Sequence, residues 1–553
     1  MRYINRYLIV LLSITSLHAS QQPYEHEQSE QDAAKKGLLD DALKAAVRKL
    51  IPTGQQPISI KVQESPELGS DERDFLTARK KITQKTLADK FKITKPLNIE
   101  ICCSGGGMRA ALGALGVLRA ADKTGILSAT NRVAATSGST WMISSVFALK
   151  AKYPEKSTQE VLNIIQKGLE KRLQDPSQIK IPGQNNAYLP PLLPFNLTDD
   201  FWLGLATRWG YNQPCSLVDI FGPVVANAIM SDMQDRTLDA TWSSVASYAK
   251  TGQFPLPICS TIFETEPGTE IFAHCETTPF EFGCPLLGYI PTKIVGTPFV
   301  NKQSDTKQLK PEYPLAYWDG AHGSAFSVQI STLERVLQPK DGSFLSCCSD
   351  TSTVIGSAKA AVLSTLNIQG RLDALLQNIR NERLPAMVIP NYRQDVVPHD
   401  TLNLMDAGID INIPVTHFFD RKERKSNIIF MFEAAHKNRS NRRKLYDYAQ
   451  KAGALCPEEW AGLPNSNEPE QVITVYNDPN DANYNPNMAT FIYLPMVDPK
   501  NPQFDTDALP FDSINFRYTA DQIKYLTDLM EQNFTSNIKA ITQIMQQVSE
   551  KHA

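Results

Sequence analysis

The sequence has no long apolar run after its first 19 residues. A transmembrane helix needs about 20 consecutive apolar residues, so we expect that the mature chain does not span a membrane. An excess of charge of one sign is also missing, because the formal net charge is −3 over 553 residues. Nothing in that balance favours nucleic-acid binding. The sequence lacks internal repeats as well, and its composition is that of an ordinary globular protein.

Cysteine-based metal sites are excluded by spacing. The chain has nine cysteines, but no Cys-x-x-Cys motif and no cluster of cysteine with histidine, so we predict no zinc site. Cys102 and Cys103 lie in an apolar segment, which predicts that both are buried. If the protein is exported, Cys275 and Cys284 could pair across a loop, and one thiol of the nine must stay unpaired or pair between chains.

The one targeting signal is at the N-terminus. Arg2 and Arg6 precede the apolar run at residues 7–12, and a small-residue cleavage site follows. This order is typical of a secretory signal peptide over residues 1–19, and we expect a secreted or periplasmic protein. Residues 20–69 are predicted to hold a polar segment and a helix, ahead of a single large domain.

A triple glycine marks the first of two turns that organise residues 101–141. Ser104-Gly105-Gly106-Gly107 stands between a strand pattern and a helix predicted for residues 108–123. Glycines let backbone N–H groups approach a ligand closely, and the N-terminus of a helix favours an anion. In acyl transfer this anion is the oxyanion of the tetrahedral intermediate. We therefore predict an oxyanion hole formed by the N–H groups of Gly106 and Gly107.

The second turn predicts a nucleophile. Residues 133–135 form a strand pattern, residues 140–147 form a helix pattern, and Ser137 stands in the tight turn between them. A serine in such a turn exposes its hydroxyl beside converging N–H groups, as in the nucleophile elbow. The usual Gly-x-Ser-x-Gly pattern is only half met, because Ala135 replaces the first glycine and Gly138 follows the serine directly. Alanine does not readily adopt a positive φ, so either its position is an ordinary one or the turn is altered.

Together the two turns, SGGGMRA and SGSTW, resemble the catalytic domain of the group IV cytosolic phospholipases A2 and of the secreted fungal phospholipase B/lysophospholipase enzymes. The resemblance implies an α/β fold of three layers, patatin-like, with a central mixed sheet and an inserted cap. It places the catalytic domain at residues 70–549 and the cap at about residues 323–402. The alternation of helix and strand patterns also favours an α/β domain. Further blocks follow in the family's order at residues 216–222, 255–258, 279–283, 323–327 and 405–408.

The resemblance implies a serine–aspartate dyad without a histidine, and two aspartates have a suitable local sequence. Asp319 begins an Asp-Gly-Ala segment that resembles patatin-type lipases, and Asp406 begins an Asp-Ala-Gly segment that resembles the cytosolic phospholipases. After Asp406 come an apolar turn with a proline, a basic stretch and a buried strand, in the family's order. We therefore predict that Asp406 is the base that activates Ser137. Asp319 is interpreted as part of an Asp-Gly turn.

A serine–histidine–acid triad is the alternative mechanism. None of the histidines after the elbow stands in a recognisable motif, although His322 and His417 each lie near a candidate aspartate. The histidines in question are His274, His322, His399, His417, His436 and His552.

The resemblance also assigns Arg109 to the substrate's phosphate, which a guanidinium binds in a bidentate way. The alternative is a helix-surface arginine paired with a carboxylate. The implied reaction is hydrolysis of a fatty-acyl ester of a phospholipid or lysophospholipid at a membrane or micelle surface, with no cofactor. No calcium-binding module is recognised before the catalytic motifs, so we expect calcium independence. Two other functions remain open: a general lipid esterase without phosphate recognition, and an inactive lipid-binding relative of the family.

Overall fold

The fold described here is that of a computed structural model. All the elements named below belong to one compact unit, made of residues 51–183, 191–325 and 385–553. A second unit comprises residues 1–50, 184–190 and 326–384, of which the structure describes only positions 41–42 and 44–49, all helical. The described residues are 41–42, 44–49, 53, 59–173, 207–214, 216, 218–230, 240–266, 269–324, 387–434, 440–462 and 471–552, except 502, 507, 509, 514 and 517.

Two of the sequence predictions therefore lie outside the described residues. The signal peptide at residues 1–19 is one, and most of the cap at residues 323–402 is the other. The described end of the predicted cap, from residue 387 onward, forms strands of the central sheet. Within the described ranges no helix is both long and apolar enough to cross a bilayer.

Among the described residues, a mixed sheet of 11 strands forms the centre of this unit, in the order β12-β13-β11-β1-β2-β3-β4-β5-β6, with β10 paired to β3 and β9 paired to β10. Neighbouring strands from β13 to β3 run parallel, and the remaining pairs are antiparallel. Strands β7 and β8 form a separate two-stranded sheet. The strands are β1 (Ile99–Cys103), β2 (Thr130–Ala135), β3 (Leu256–Glu264), β4 (Phe272–Thr277), β5 (Glu281–Cys284), β6 (Gly288–Pro291), β7 (Phe299–Val300), β8 (Gln303–Ser304), β9 (Met387–Pro390), β10 (Thr401–Asp406), β11 (Ile428–Glu433), β12 (Thr474–Tyr476) and β13 (Thr490–Pro495).

Helices precede, connect and follow these strands. In the described part of the chain they are α1 (Ser70–Phe91), α2 (Gly107–Thr124), α3 (Ile126–Ala129), α4 (Gly138–Lys152), α5 (Thr158–Arg172), α6 (Val218–Met230), α7 (Trp242–Lys250), α8 (Leu315–His322), α9 (Thr416–Asp420), α10 (Ser440–Ala452), α11 (Glu459–Gly462), α12 (Ala520–Thr535) and α13 (Ile538–Lys551).

Helices cover both faces of the sheet, as the side chains of β11 show. Met431 belongs to an apolar cluster that includes Leu445 of α10. Phe430 and Phe432 instead contact Phe534 of α12, with ring centroids 5.7 and 5.5 Å apart. Successive side chains of a strand point to opposite faces, so α10 and α12 lie on opposite sides of the sheet. The predicted α/β fold with helices around a central mixed sheet is confirmed.

Strand β3 pairs with two different strands along one edge. β2 runs parallel to it and pairs with residues 256–259, whereas β10 runs antiparallel and pairs with Thr261 and Ile262. The other edge of β3 is occupied by β4, which pairs with residues 259–264. The carboxyl ends of β2 and β10 therefore approach each other beside Ser260.

A cluster of buried ion pairs holds α1 and the sheet to the segment after α9. Arg424 binds Glu72 at 2.7 Å and also binds Glu276. Arg132 of β2 binds Glu72 at 2.8 Å and Glu100 of β1 at 3.0 Å. A buried charge is stable only when it is paired, and each of these five charges has an opposite partner. The ion-pair cluster consists of Glu72, Glu100, Arg132, Glu276, Glu281, Arg421 and Arg424.

Three element boundaries involve local contacts. Thr292–Ile294 is a turn of 3-10 helix that follows Pro291, and the Thr292 hydroxyl donates to the Thr278 carbonyl. Helices α12 and α13 separate at Asn537, whose side-chain amide donates to the carbonyl of Asn533. Helix α1 has Gly69 at its N-cap.

Candidate active site

Ser137 lies in a tight turn between β2 and α4. Its φ is 53° and its ψ is −130°, a backbone conformation that residues with a side chain rarely adopt. The close approach of the two motifs maintains this turn, since a Cβ at Gly138 would lie 1.8 Å from the carbonyl oxygen of Gly107. The strand, the strained serine and the helix that follows together have the geometry of a nucleophile elbow.

Ala135 does not occupy the strained position. It is the last residue of β2, and it pairs with Cys103 of β1 and Cys259 of β3. The positive φ belongs to Ser137, two residues later. Alanine therefore replaces the usual glycine at an ordinary strand position, and the turn is not altered by it.

The Ser137 hydroxyl donates a hydrogen bond to Asp406, with 2.7 Å between Oγ and Oδ2. Asp406 is the last residue of β10, and its side chain is buried. Its other oxygen, Oδ1, accepts a hydrogen bond from the N–H of Gly408 at 2.8 Å. That second bond fixes the carboxylate plane, so Oδ2 stays directed at the serine. A carboxylate within hydrogen-bond reach of a hydroxyl has the position that a general base requires.

Asp319 does not contact this pair. It lies inside α8 rather than in the predicted Asp-Gly turn, and its Oδ1 accepts a hydrogen bond from Ser144 Oγ at 2.8 Å. Its backbone carbonyl accepts another from Trp141 Nε1, also at 2.8 Å. Burial raises the pKa of the Asp319 carboxyl well above its ordinary value. Asp319 therefore attaches α8 to α4, one and two turns after Ser137.

The two histidines near the candidate aspartates have other neighbours. His322 stacks on Trp318 with ring centroids 5.7 Å apart, and His417 is hydrogen-bonded through Nε2 to Ser260 Oγ at 2.7 Å. Burial lowers the pKa of both rings to about 3. The direct contact between Ser137 and Asp406 leaves no place for a histidine between them. His436 lies outside the described residues.

The glycine turn has the backbone that three glycines allow. Gly106 has a φ of 141° and Gly107 a φ of 61°, and α2 begins at Gly107. The N–H of Gly105 is hydrogen-bonded to Asn412. By contrast, no group in the described ranges accepts a hydrogen bond from the N–H of Gly106 or of Gly107. Two such N–H groups at a helix N-terminus can hold an anion.

Arg109 is buried and not on the helix surface. Its guanidinium donates to the carbonyl of Phe511 at 2.7 Å, to the carbonyl of Thr506, and to Ser513 Oγ at 3.3 Å. Residues of the segment 506–513 therefore cover the guanidinium in this structure. The predicted contact of Arg109 with a substrate phosphate stays a prediction.

Asn412 is the residue at this site that the sequence reasoning missed. Its side chain contacts the glycine turn at Gly105. The available signal was a polar residue six positions after the predicted base and two positions before a proline.

Among the described residues, no group of three or more His, Cys, Asp or Glu side chains could hold a metal ion.

Known proteins resemble the chain over most of its length. Residues 99–444 match the family described as the lysophospholipase catalytic domain. Human cytosolic phospholipase A2 zeta is 28% identical over 289 residues, which cover 51% of this chain but only 31% of that relative. The match thus spans about a third of that relative's length.

Solved structures agree on the fold. Human GIVD cytosolic phospholipase A2 aligns with a TM-score of 0.65 and 17% identity, over 90% of this chain and 69% of that one. The same human protein in complex with methyl gamma-linolenyl fluorophosphonate inhibitor and terbium chloride aligns with a TM-score of 0.59 and 17% identity, over 89% of this chain and 66% of that one. At this level of identity the likeness concerns the fold alone.

Proposed function

Because the chain belongs to the family of lysophospholipase catalytic domains, we propose that it hydrolyses fatty-acyl esters of phospholipids or lysophospholipids at a membrane or micelle surface. The observation that carries the proposal is the 2.7 Å hydrogen bond from Ser137 to Asp406. It joins a hydroxyl in an elbow to a buried carboxylate, beside the N–H groups of Gly106 and Gly107. Nucleophile, base and oxyanion donors are the three parts that acyl transfer requires.

In the first half of the reaction, Asp406 takes the proton of Ser137 as its Oγ attacks the ester carbonyl. The carbonyl oxygen becomes an oxyanion, which the N–H groups of Gly106 and Gly107 stabilise. The tetrahedral intermediate then collapses, the C–O bond to the glycerol backbone breaks, and Asp406 returns the proton to the leaving alkoxide. In the second half, water attacks the acyl-enzyme with Asp406 again as base. The bond between the acyl carbon and Ser137 Oγ then breaks, Asp406 returns the proton to Oγ, and the fatty acid leaves.

Phosphate recognition by Arg109 is the less supported part of the proposal. The carbonyls of Thr506 and Phe511 accept hydrogen bonds from the guanidinium. A phosphate forms stronger, charge-assisted bonds with arginine than a carbonyl does, but it reaches Arg109 only if those residues give way. The present partners of Arg109 therefore favour the second candidate function, a general lipid esterase that does not bind the phosphate. The inactive lipid-binding alternative has the contact between Ser137 and Asp406 against it.

A lipid panel tests the proposal. The mature chain, Ser137→Ala and Ser144→Ala are assayed on diacyl phospholipid, lysophospholipid and a p-nitrophenyl ester. Ser144 is the matched control, because it is a buried serine of α4, the helix that follows Ser137, and is bonded to Asp319 instead of Asp406. We expect wild type and Ser144→Ala to release fatty acid and Ser137→Ala to be inactive. Activity on the p-nitrophenyl ester alone would support the general esterase, and no activity on any ester would support the inactive relative.

Export of the protein is part of the same proposal. It rests on residues 1–19, where two arginines precede a short apolar run. Expression of the full chain and of a chain that lacks residues 1–19 tests it. We expect only the full chain to appear outside the cytoplasm, shortened at its N-terminus by mass spectrometry. Retention of an uncleaved full chain in the cytoplasm would contradict export.

A further inference from the structure

The glycine turn needs an external support. Gly105, Gly106 and Gly107 have no Cβ atoms to restrict their backbone, so a peptide in this turn can rotate at little steric cost. An oxyanion donor, however, has to be aimed before the reaction begins. Ser104 is attached to β11, because its N–H bonds the Phe432 carbonyl at 2.9 Å. Within the turn, Ser104 Oγ also donates to the Gly105 carbonyl at 3.3 Å. Neither bond holds the N–H of Gly105.

Asn412 supplies the support from outside the turn. Its Oδ1 accepts the N–H of Gly105 at 2.9 Å, and its backbone carbonyl accepts the same N–H at 3.3 Å. Its Nδ2 donates to the carbonyl of Gly105 at 3.3 Å, and this is the bond that a change of side chain removes. The side-chain amide thus binds both polar groups of one glycine. Gly105 also lies close to the nucleophile, since a Cβ at Gly105 would lie 2.5 Å from Asn412 Oδ1 and 2.6 Å from Ser137 Cβ.

The carbonyl of Gly105 and the N–H of Gly106 belong to the same peptide group. In a planar trans peptide these two groups point in opposite directions, so a bond that holds the carbonyl inward directs the N–H outward. A hydrogen bond to the carbonyl also polarises the peptide and strengthens its N–H as a donor. We propose that Asn412 is a positioning residue that aims the Gly106 N–H at the oxyanion. This inference rests on the proposed function of the site.

Two neighbours orient the Asn412 amide. Nδ2 also donates to Glu433 Oε1 at 3.3 Å, which distinguishes the nitrogen end of the amide from the oxygen end. Asn412 also lies in the short segment that begins at Asp406, and the N–H of Gly408 in that segment donates to Asp406 Oδ1. A single stretch of seven residues, 406–412, therefore holds both the base and the support of the oxyanion donor.

The test uses Asn412→Asp, which retains an acceptor for the Gly105 N–H but replaces the donating NH₂ by an oxygen. We expect kcat on the preferred ester of the lipid panel to fall by about 10-fold to 100-fold, since removal of an oxyanion donor costs about 10²-fold to 10³-fold and here the donor is only misdirected. KM should stay as in wild type in both Asn412 variants, because the binding surface is unchanged. The new carboxylate of Asn412→Asp lies close to Asp406 and should raise its pKa, so the pH profile of this variant should move upward. Asn412→Ala adds no charge and should lower kcat with the pH profile of wild type, which separates the loss of the donating NH₂ from the added charge.

Asn391→Asp is the matched control. Asn391 is also buried, and its Nδ2 donates to the carbonyls of Val397 and His399 at 2.7 and 2.9 Å. We expect this variant to lower the melting temperature while kcat per folded molecule stays at the wild-type value. An equal fall of kcat in Asn391→Asp, a loss confined to KM, or wild-type kcat in both Asn412 variants would each overturn the positioning role. Full activity of Ser137→Ala in the same assay would instead overturn the proposed function itself.

Discussion

Glu276 and Asp406 are buried carboxylates opposite neighbouring residues of β3, and they are held by different kinds of group. Glu276 pairs across from Ser260 and binds Arg421 at 2.8 Å as well as Arg424. Asp406 pairs across from Thr261, so its side chain projects from the other face of the sheet. It accepts hydrogen bonds from a serine hydroxyl and a backbone N–H.

The difference separates a structural carboxylate from one that is suited to chemistry. Burial alone would raise the pKa of Glu276, but Arg421 and Arg424 outweigh it, and the pKa lies below its ordinary value. A carboxylate that two guanidiniums hold has its oxygen lone pairs engaged and is a weak base. Asp406 instead faces the hydroxyl whose proton it would take. On one face of the sheet the charge of Glu276 is neutralised by arginines, and on the other face the carboxylate of Asp406 is directed at Ser137.

The largest expected effect comes from removal of charge at the two positions. Asp406→Asn should lower kcat by about 10³-fold or more while the melting temperature changes little, because the amide is isosteric but cannot take the proton. Glu276→Gln should do the reverse, with a lower melting temperature and wild-type kcat per folded molecule. Ester hydrolysis and thermal unfolding of both variants make the comparison.

Asp319→Asn is the matched control for the first variant, because Asp319 is buried but bonded to Ser144. We expect near-normal turnover from it and labelling by a fluorophosphonate probe at Ser137 only. Labelling that persists in Ser137→Ala would contradict the assignment of Ser137 as the nucleophile.

A second prediction concerns the ion-pair cluster itself. Arg424→Met removes the guanidinium between Glu72 and Glu276, so that Glu72 keeps only Arg132 and Glu276 keeps only Arg421 in the ion-pair cluster. Removal of one member of a buried ion pair costs about 3–5 kcal/mol in the free energy of unfolding. Chemical denaturation should detect this loss. Arg443→Met, which breaks an exposed pair with Asp447, is the control and should be close to neutral.

The pH dependence of stability sharpens the comparison within the cluster. Burial raises the pKa of Glu100 from 4.5 to about 7, despite its contacts with Arg132. Glu100 therefore contributes stability that is fully present below pH 4.5 and is lost as the pH rises to about 7. For Glu72, burial is outweighed by Arg424 and Arg132, which lower the pKa to about 2. Its contribution is present above pH 4.5 and is lost as the pH falls toward 2.

Two variants separate these contributions in thermal unfolding between pH 3 and pH 8. Glu100→Gln should remove the loss of stability on the rise from pH 4.5 to 7, and Glu72→Gln should remove part of the loss at acid pH. Unchanged pH profiles in both variants would place the titrating groups elsewhere.

The smallest expected effect concerns Arg109, a buried cation on the catalytic side. If it binds phosphate, Arg109→Lys should reduce hydrolysis of phospholipid several-fold more than hydrolysis of a p-nitrophenyl ester, because lysine lacks the bidentate fork. If it only holds residues 506–513, both rates should fall together with the melting temperature. The ratio of the two rates decides between phosphate recognition and the general esterase.

Short sequence segments were enough to predict the family, the α/β fold and the position of the elbow. The family resemblance rested on two glycine turns and is confirmed, and so is the α/β fold with its mixed sheet. The elbow at Ser137 followed from a strand pattern, a small-residue turn and a helix pattern within about 15 residues. The order of segments after Asp406 singled it out from Asp319, and these two aspartates do differ in their contact with Ser137.

The features that could not be predicted from the sequence depend on contacts between residues that lie far apart along the chain. Asn412 supports a glycine 307 residues earlier in the chain, and no local pattern relates the two. Arg109 is covered by residues about 400 positions later, which lie beyond the blocks that carried the resemblance. Asp319 resembled a turn because of its glycine, yet the helix there is stabilised by packing against α4. The catalytic role of the site residues and the export of the protein stay predictions.

Strands β2 and β10 pair with the same edge of β3, so β3 sets the distance between the nucleophile and the base. β2 delivers Ser137 from one direction and β10 delivers Asp406 from the other, and Ser260 is the single residue of β3 between their pairings. One residue inserted there would lengthen the gap by about 3.4 Å and also exchange the two faces of the sheet beyond it. The separation of β2 and β10 along β3 can therefore change only in steps of one residue. A spacing of one residue, Ser260, places the Asp406 carboxylate within reach of Ser137 and on the correct face of the sheet.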